Sequence, residues 1–224
     1  KDGEEAFKAV QSLRPDDMPY MFNSFVAEAP TPPFKSAGAG NELILITGGA
    51  YQRLDLCPTH GCLAWLIDRD GRVHHAWEFN FGDLIANDSR FAGRVTTFNI
   101  QPVGLALDGD GSLVATFHGR NIFPYQIGIV KLDVDGNVLW KRIDHSHHWL
   151  TIDENGFIYT PYTDIRNGIV SVGSTHRELR CSSDAVYDEG VRIISPDGDT
   201  VREVSFIDLF AREDYTGLLY NLSN

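Results

Sequence analysis

From residue 41 onward the apolar positions fall in short runs of about 5–8 residues, broken by Gly, Asp and Asn, with apolar and polar positions tending to alternate inside each run. This pattern predicts half-buried β-strands joined by tight turns, and sustained helical periodicity is absent. Residues 1–40 read differently. They carry Pro15, Pro19, Pro30, Pro32 and Pro33, a Ser/Ala/Gly run over 36–40, and one short helix-like stretch at Glu4–Leu13. They are expected to form an N-terminal extension that feeds a body over 41–224.

The strand pattern repeats. Ala64–Trp77, Ile129–Trp140 and Val191–Val201 each place an Asp-Gly pair between two apolar-alternating runs, with the glycines at 71, 136 and 198. Each is expected to be a hairpin whose Asp-Gly supplies the positive φ angles of the turn. A second hairpin type, Gly104–Ala115 and Trp149–Thr160, lies between them. Alternating pairs of hairpins give four-stranded units over 103–144 and 148–206, with part of another over 42–80. Repeated four-stranded antiparallel units point to an all-β chain of β-propeller type. About three blades are covered, with the start of another after Asp208. A ring needs at least four, so the propeller is expected to be incomplete here and to continue beyond the chain end. An open stack exposes strand edges and apolar blade faces, which favours association into a homo-oligomer.

Composition narrows the function. With 42% hydrophobic residues the chain can bury a core. A net charge of −12 lacks the basic footprint that nucleic acid or an anionic membrane surface requires. No apolar run approaches the roughly 20 residues of a membrane-spanning helix. The chain begins at Lys1, which leaves room for an upstream signal peptide or membrane tether.

The strongest chemical signal is Asp144–Trp149, which holds His145, His147 and His148 directly before a predicted inner strand. In a propeller the inner strands line a central channel, so these imidazoles are expected at its mouth, where they can act as general acid or base, nucleophile or ligand. His118 and Arg120 follow the matching strand of the preceding unit and can reach the same end. An Arg there suits an anionic group. Trp149, Tyr159 and Tyr162 follow the cluster and read first as blade core. His74 and His75 alternate across a strand and read as ordinary strand residues. Cys57 and Cys62 suit a short-loop disulfide in an oxidising compartment. With His60 and Cys181 they make a poor zinc set, and Cys181 is left as an odd thiol. The Asp-x-Asp-Gly segments lack the full ligand pattern of a calcium loop and read as turns. No phosphate-binding loop or nucleophile elbow is present.

The hairpins Ala64–Trp77 and Val130–Trp140, together with His147 and His148 ahead of Asp153 and Gly156, resemble bacterial arylsulfotransferases over about residues 40–206. The His pair carries the specificity of that resemblance, which covers the N-terminal half of the family's propeller domain. It implies a six-bladed, periplasmic or extracellular enzyme, membrane-anchored or free, that moves a sulfuryl group from a phenolic sulfate ester to a phenol through a histidine. It implies small-molecule partners and no cofactor or metal. His147 and His148 match an early pocket motif and are the expected catalytic residues, with His145, His118, Arg120 and Trp149 against the substrate. The later blades, with further pocket residues and a candidate nucleophile, would lie beyond residue 224. Two other readings stand beside it: a non-catalytic extracytoplasmic propeller that binds a ligand or partner, and a lactonase-like metal-dependent hydrolase.

Overall fold

The computed structural model describes residues 42–47, 62–70, 72–79, 84–85, 88, 100–119, 126–167, 170–172, 177–179 and 185–212. The expected extension over 1–40, the Cys57–Cys62 pairing and Arg120 lie outside the described residues.

The fold class is all-β. Strands β1 (Ile44–Thr47), β2 (Cys62–Ile67) and β3 (Val73–Glu78) form one antiparallel sheet in sequence order. Strands β4 (Ile100–Leu107), β5 (Leu113–Gly119), β6 (Gln126–Leu132) and β7 (Val138–Arg142) form a second. In the third, β8 (Thr151–Ile152) and β9 (Ile158–Asn167) are followed by a separate hairpin, β10 (Val170–Val172) and β11 (Arg177–Leu179). The chain then returns as β12 (Ala185–Ile194) beside β9 and ends the sheet with β13 (Thr200–Ser205). The four-stranded units expected over 103–144 and 148–206 thus correspond to the second and third sheets.

Five turns share one construction. The amide of the first turn residue donates to the carbonyl four residues on: Asp68 to Arg72, Asp108 to Ser112, Asp133 to Asn137, Asp153 to Phe157 and Ser195 to Asp199. These are three-residue loops, and the residue with positive φ is the glycine, as at Gly111, Gly136, Gly156 and Gly198. The preceding Asp or Asn does not share that conformation, which corrects the expectation of positive φ across the Asp-Gly pair. The leading carboxylate does separate work. Asp133 accepts from the amides of Asp135 and Asn137 at 2.9 and 2.8 Å, and Asp68 and Asp153 do the same in their loops. In the second sheet Asp108 is drawn instead to Lys131 at 2.7 Å, and Asp110 takes over as acceptor for Ser112. These carboxylates are spent on turn amides.

The sheets pack face to face. On β5, Leu113, Ala115 and Phe117 join Leu63, Trp77, Phe79 and Ile100 in a core shared with the first sheet. Val114, one residue out of phase, joins Ile129, Ile158 and Ile194 in a core shared with the third. Period-2 alternation therefore serves two cores at once, and every residue of β5 is buried.

Residues 213–224, where a further blade was expected to start, lie outside the described residues; past β13 the described chain is helical, α1 spanning Phe206–Arg212. Ser205 caps it, its Oγ accepting the Asp208 amide at 2.9 Å, and Arg166 pairs with Asp188 and Asp208 beneath it. No helix among the described residues is long and apolar enough to cross a membrane.

Candidate functional site

The segment Asp144–Leu150 runs beside β9 without being a regular strand. The His147 amide donates to Pro161 at 3.1 Å and the Thr163 amide to His145 at 3.3 Å, with a single bridge between Ser146 and Tyr162. Regular pairing stops there because His145 and His148 adopt φ of 60° and 54°, the left-handed region that non-glycine residues seldom occupy. Arg192 of β12 holds the segment at its start. Its Nη1 donates to the Asp144 carbonyl at 2.9 Å and pairs with the Asp144 carboxylate at 2.8 Å, its Nε pairs with Glu203 at 2.6 Å, and its guanidinium lies 4.5 Å over the Tyr162 ring. The far end is held by β4 and β5. Thr116 donates its hydroxyl to the His148 carbonyl, and that carbonyl lies where a side chain on Gly104 would be: a Cβ there would sit 2.1 Å from the oxygen. Only glycine at 104 admits this approach.

The result is a cluster of three imidazoles. His118, near the end of β5, faces His148 with ring centroids 4.6 Å apart and His147 at 6.3 Å, while the His147 and His148 rings are 4.7 Å apart. One ring nitrogen from each of the three lies within 4.8 Å of the others. His118 and His147 are buried, at 8% and 6% exposure, and His148 is exposed. Burial, followed by the neighbouring His148 and His147, lowers the His118 pKa to about 4, so its imidazole is neutral at pH 7. Burial also lowers that of His147, against the opposing pull of Glu189.

Glu189 is the residue that sequence reasoning missed. It stands on β12 opposite Thr163 of β9, accepts the Thr163 hydroxyl through Oε1 at 2.9 Å, and meets His147 Nε2 through Oε2 at 2.8 Å. The contacts fix the tautomers. A carboxylate can only accept, so His147 carries its proton on Nε2 and presents a bare Nδ1. His147 Nδ1 lies 2.5 Å from His148 Nδ1, so His148 donates there and its own Nε2 is left as a lone pair on an exposed residue.

No family model and no curated protein matches the chain. Among solved structures it is similar to a protein of unknown function from Bacteroides caccae, at 15% identity and a TM-score of 0.30, over 64% of this chain and 40% of that one. The chain thus spans less than half the length of that structure.

Of the expected site residues, the structure brings His118, His147 and His148 together. His145 stands apart from the cluster, its Nδ1 turned to the Thr163 carbonyl at 3.3 Å. Trp149, next in sequence to His148, is 63% exposed. His74 pairs with Asp68 at 3.0 Å, whereas His75 reaches the next sheet through a 2.7 Å bond from Nε2 to the Val134 carbonyl.

Proposed function

We propose that this chain carries the histidine site of an arylsulfotransferase-like β-propeller enzyme of the periplasm or cell exterior, which passes a sulfuryl group from a phenolic sulfate ester to a phenol. The observation that carries the reading is the chain of contacts Glu189–His147–His148. It leaves a lone pair on Nε2 of the exposed His148 and connects the opposite side of that ring to a carboxylate. As Nε2 attacks sulfur, positive charge grows on the His148 ring. The Nδ1–H donated to His147, backed by Glu189, stabilises that charge in a partly buried setting. The bond from sulfur to the donor's phenolic oxygen breaks, and the phenolate leaves. The acceptor phenol oxygen then attacks sulfur, the bond from sulfur to Nε2 breaks and returns the lone pair to Nε2, and the acceptor's proton passes to the departed phenolate, directly or through water. Trp149 supplies an exposed aromatic face for either ring.

The propeller reading rests on how the sheets adjoin. The first strands of the three sheets neighbour one another, β1 against β4 and β4 against β8, as inner strands do around a shared axis. The histidine segment leads into β8, so on this reading it belongs at the channel mouth.

The test is turnover of an aryl sulfate with a phenol acceptor, on this chain and on any longer native form. His148→Gln is expected to lower kcat by about 10³ or more, and His145→Gln to leave it within a few-fold. Transfer that persists in His148→Gln, or that occurs in a longer form but not in this chain, moves the nucleophile elsewhere. Activity abolished by a chelator favours the metal-dependent hydrolase instead, and a well-folded longer form with no activity favours a binding propeller.

A further inference from the structure

The three-imidazole cluster has a second chemistry. We propose that His118, His147 and His148 bind a single divalent ion of the zinc class. With every pair of nitrogens within 4.8 Å, a point exists no more than about 2.8 Å from all three; His147 Nδ1 and His148 Nδ1, 2.5 Å apart, would separate to the roughly 3.3 Å of two ligands on one tetrahedral ion, and shifts of under about 1 Å bring each nitrogen to the 2.0–2.1 Å of a zinc–imidazole bond. Three nitrogen ligands leave a fourth tetrahedral position open, and an all-imidazole set selects zinc, nickel or copper over magnesium or calcium.

The surroundings suit a held ion. His147 donates its Nε2–H to Glu189, which directs Nδ1 at the cluster, and a carboxylate behind a ligating imidazole is the usual arrangement around such ions. The carboxylate also offsets part of the charge brought in. Thr163 holds Glu189 from its other oxygen. His118 is fixed by strand pairing on both sides, to Gln101 of β4 and Gln126 of β6. The remaining two ligands sit on backbone pinned by Arg192 and by Thr116. The ion takes the place of the proton between His147 and His148, which passes to the far nitrogen of His148.

This goes beyond the transferase reading and is read separately from it: a bound ion occupies His148 Nδ1 and leaves Nε2 protonated, so the ion-bound form is not the form that attacks sulfur, and the readout is metal bound rather than substrate turned over. Chelator-treated chain is titrated with Zn²⁺ by calorimetry and with Co²⁺ by visible absorption. One ion per chain, at micromolar affinity or tighter, is expected, with a cobalt spectrum of nitrogen and oxygen ligation. His118→Gln and Glu189→Gln should each weaken binding about 10–100-fold, and His145→Gln should leave it unchanged, with circular dichroism confirming that each variant is folded. Unaltered affinity in folded His118→Gln overturns the proposal. So does a cobalt spectrum with thiolate charge-transfer bands, which would place the ion at the cysteines; this is read on the unaltered chain and needs no variant to fold. Absence of micromolar binding overturns it as well.

Discussion

Trp140 donates its indole N–H to the carbonyl of Pro196 at 2.8 Å, tying the last strand of the second sheet to a turn of the third. One sheet earlier, His75 does the same to Val134 at 2.7 Å. Each donor stands four residues after a turn glycine, and each acceptor is the second residue of the next sheet's turn. The repeat is therefore one of inter-sheet bonding as well as of strand pattern. Trp140 also lies against Gly198, whose Cβ, were there one, would come within 2.9 Å of the indole. Trp140→Phe is expected to cost about 1–2 kcal/mol through the lost donor, and Gly198→Ala about 1–3 kcal/mol through strain at a φ of 93° and the clash. Urea unfolding should show the two effects to be less than additive, because both loosen the same contact.

Gly104 holds the site at a distance from the chemistry. Gly104→Ala should displace the His148 carbonyl and with it the ring that follows, and Thr116→Val should release the same carbonyl without a clash. The first is expected to weaken zinc binding at least tenfold at a stability cost of about 1–3 kcal/mol; the second should give a smaller effect of the same sign. Calorimetry beside a urea titration separates binding from folding, and unchanged zinc affinity in Gly104→Ala would show that the approach is incidental.

Arg192 is the strut under the histidine segment. Arg192→Met should cost about 3 kcal/mol, because it leaves the partly buried Asp144 carboxylate without one of its two arginine partners. Arg192→Lys should recover little, since an ammonium cannot reach Asp144 and Glu203 together as the guanidinium does. Thermal unfolding of the two variants checks this.

Acid should loosen the hairpins. The Asn137 side chain and then its amide hold the Asp133 carboxyl below its ordinary value of 3.8. A carboxyl depressed in the folded state adds stability that is fully present above the unfolded value and is lost as pH falls through the folded one. Stability is therefore expected to be flat above about pH 5 from this source and to decline below about pH 4. Asp133→Asn should make that decline shallower, which urea midpoints across the acid range would measure.

The sequence disclosed what depends on neighbours along the chain. Asp-Gly spacing located the turns, and alternation located β4 to β7, because both are local. The histidine segment was legible as a cluster for the same reason. Glu189 was not: it reaches His147 only because β12 returns beside β9 after the chain between them has turned away, and no spacing reports that pairing. His75 looked like a plain strand residue because the Trp140 that answers it is of a different type. The helix α1 was hidden by its length, seven residues being too few for periodicity to show. Its cap, Ser205, was readable only once β13 was known to end there.

β5 is covered on both sides, Phe117 towards the first sheet and Val114 towards the third. The middle sheet therefore has no outside face of its own around that strand. Its stability is held in common with its neighbours, so the natural energetic unit is the junction between sheets rather than the sheet. A deletion that trims either flanking sheet would strip half the cover from β5, and damage at one end of the described chain would travel inward one junction at a time.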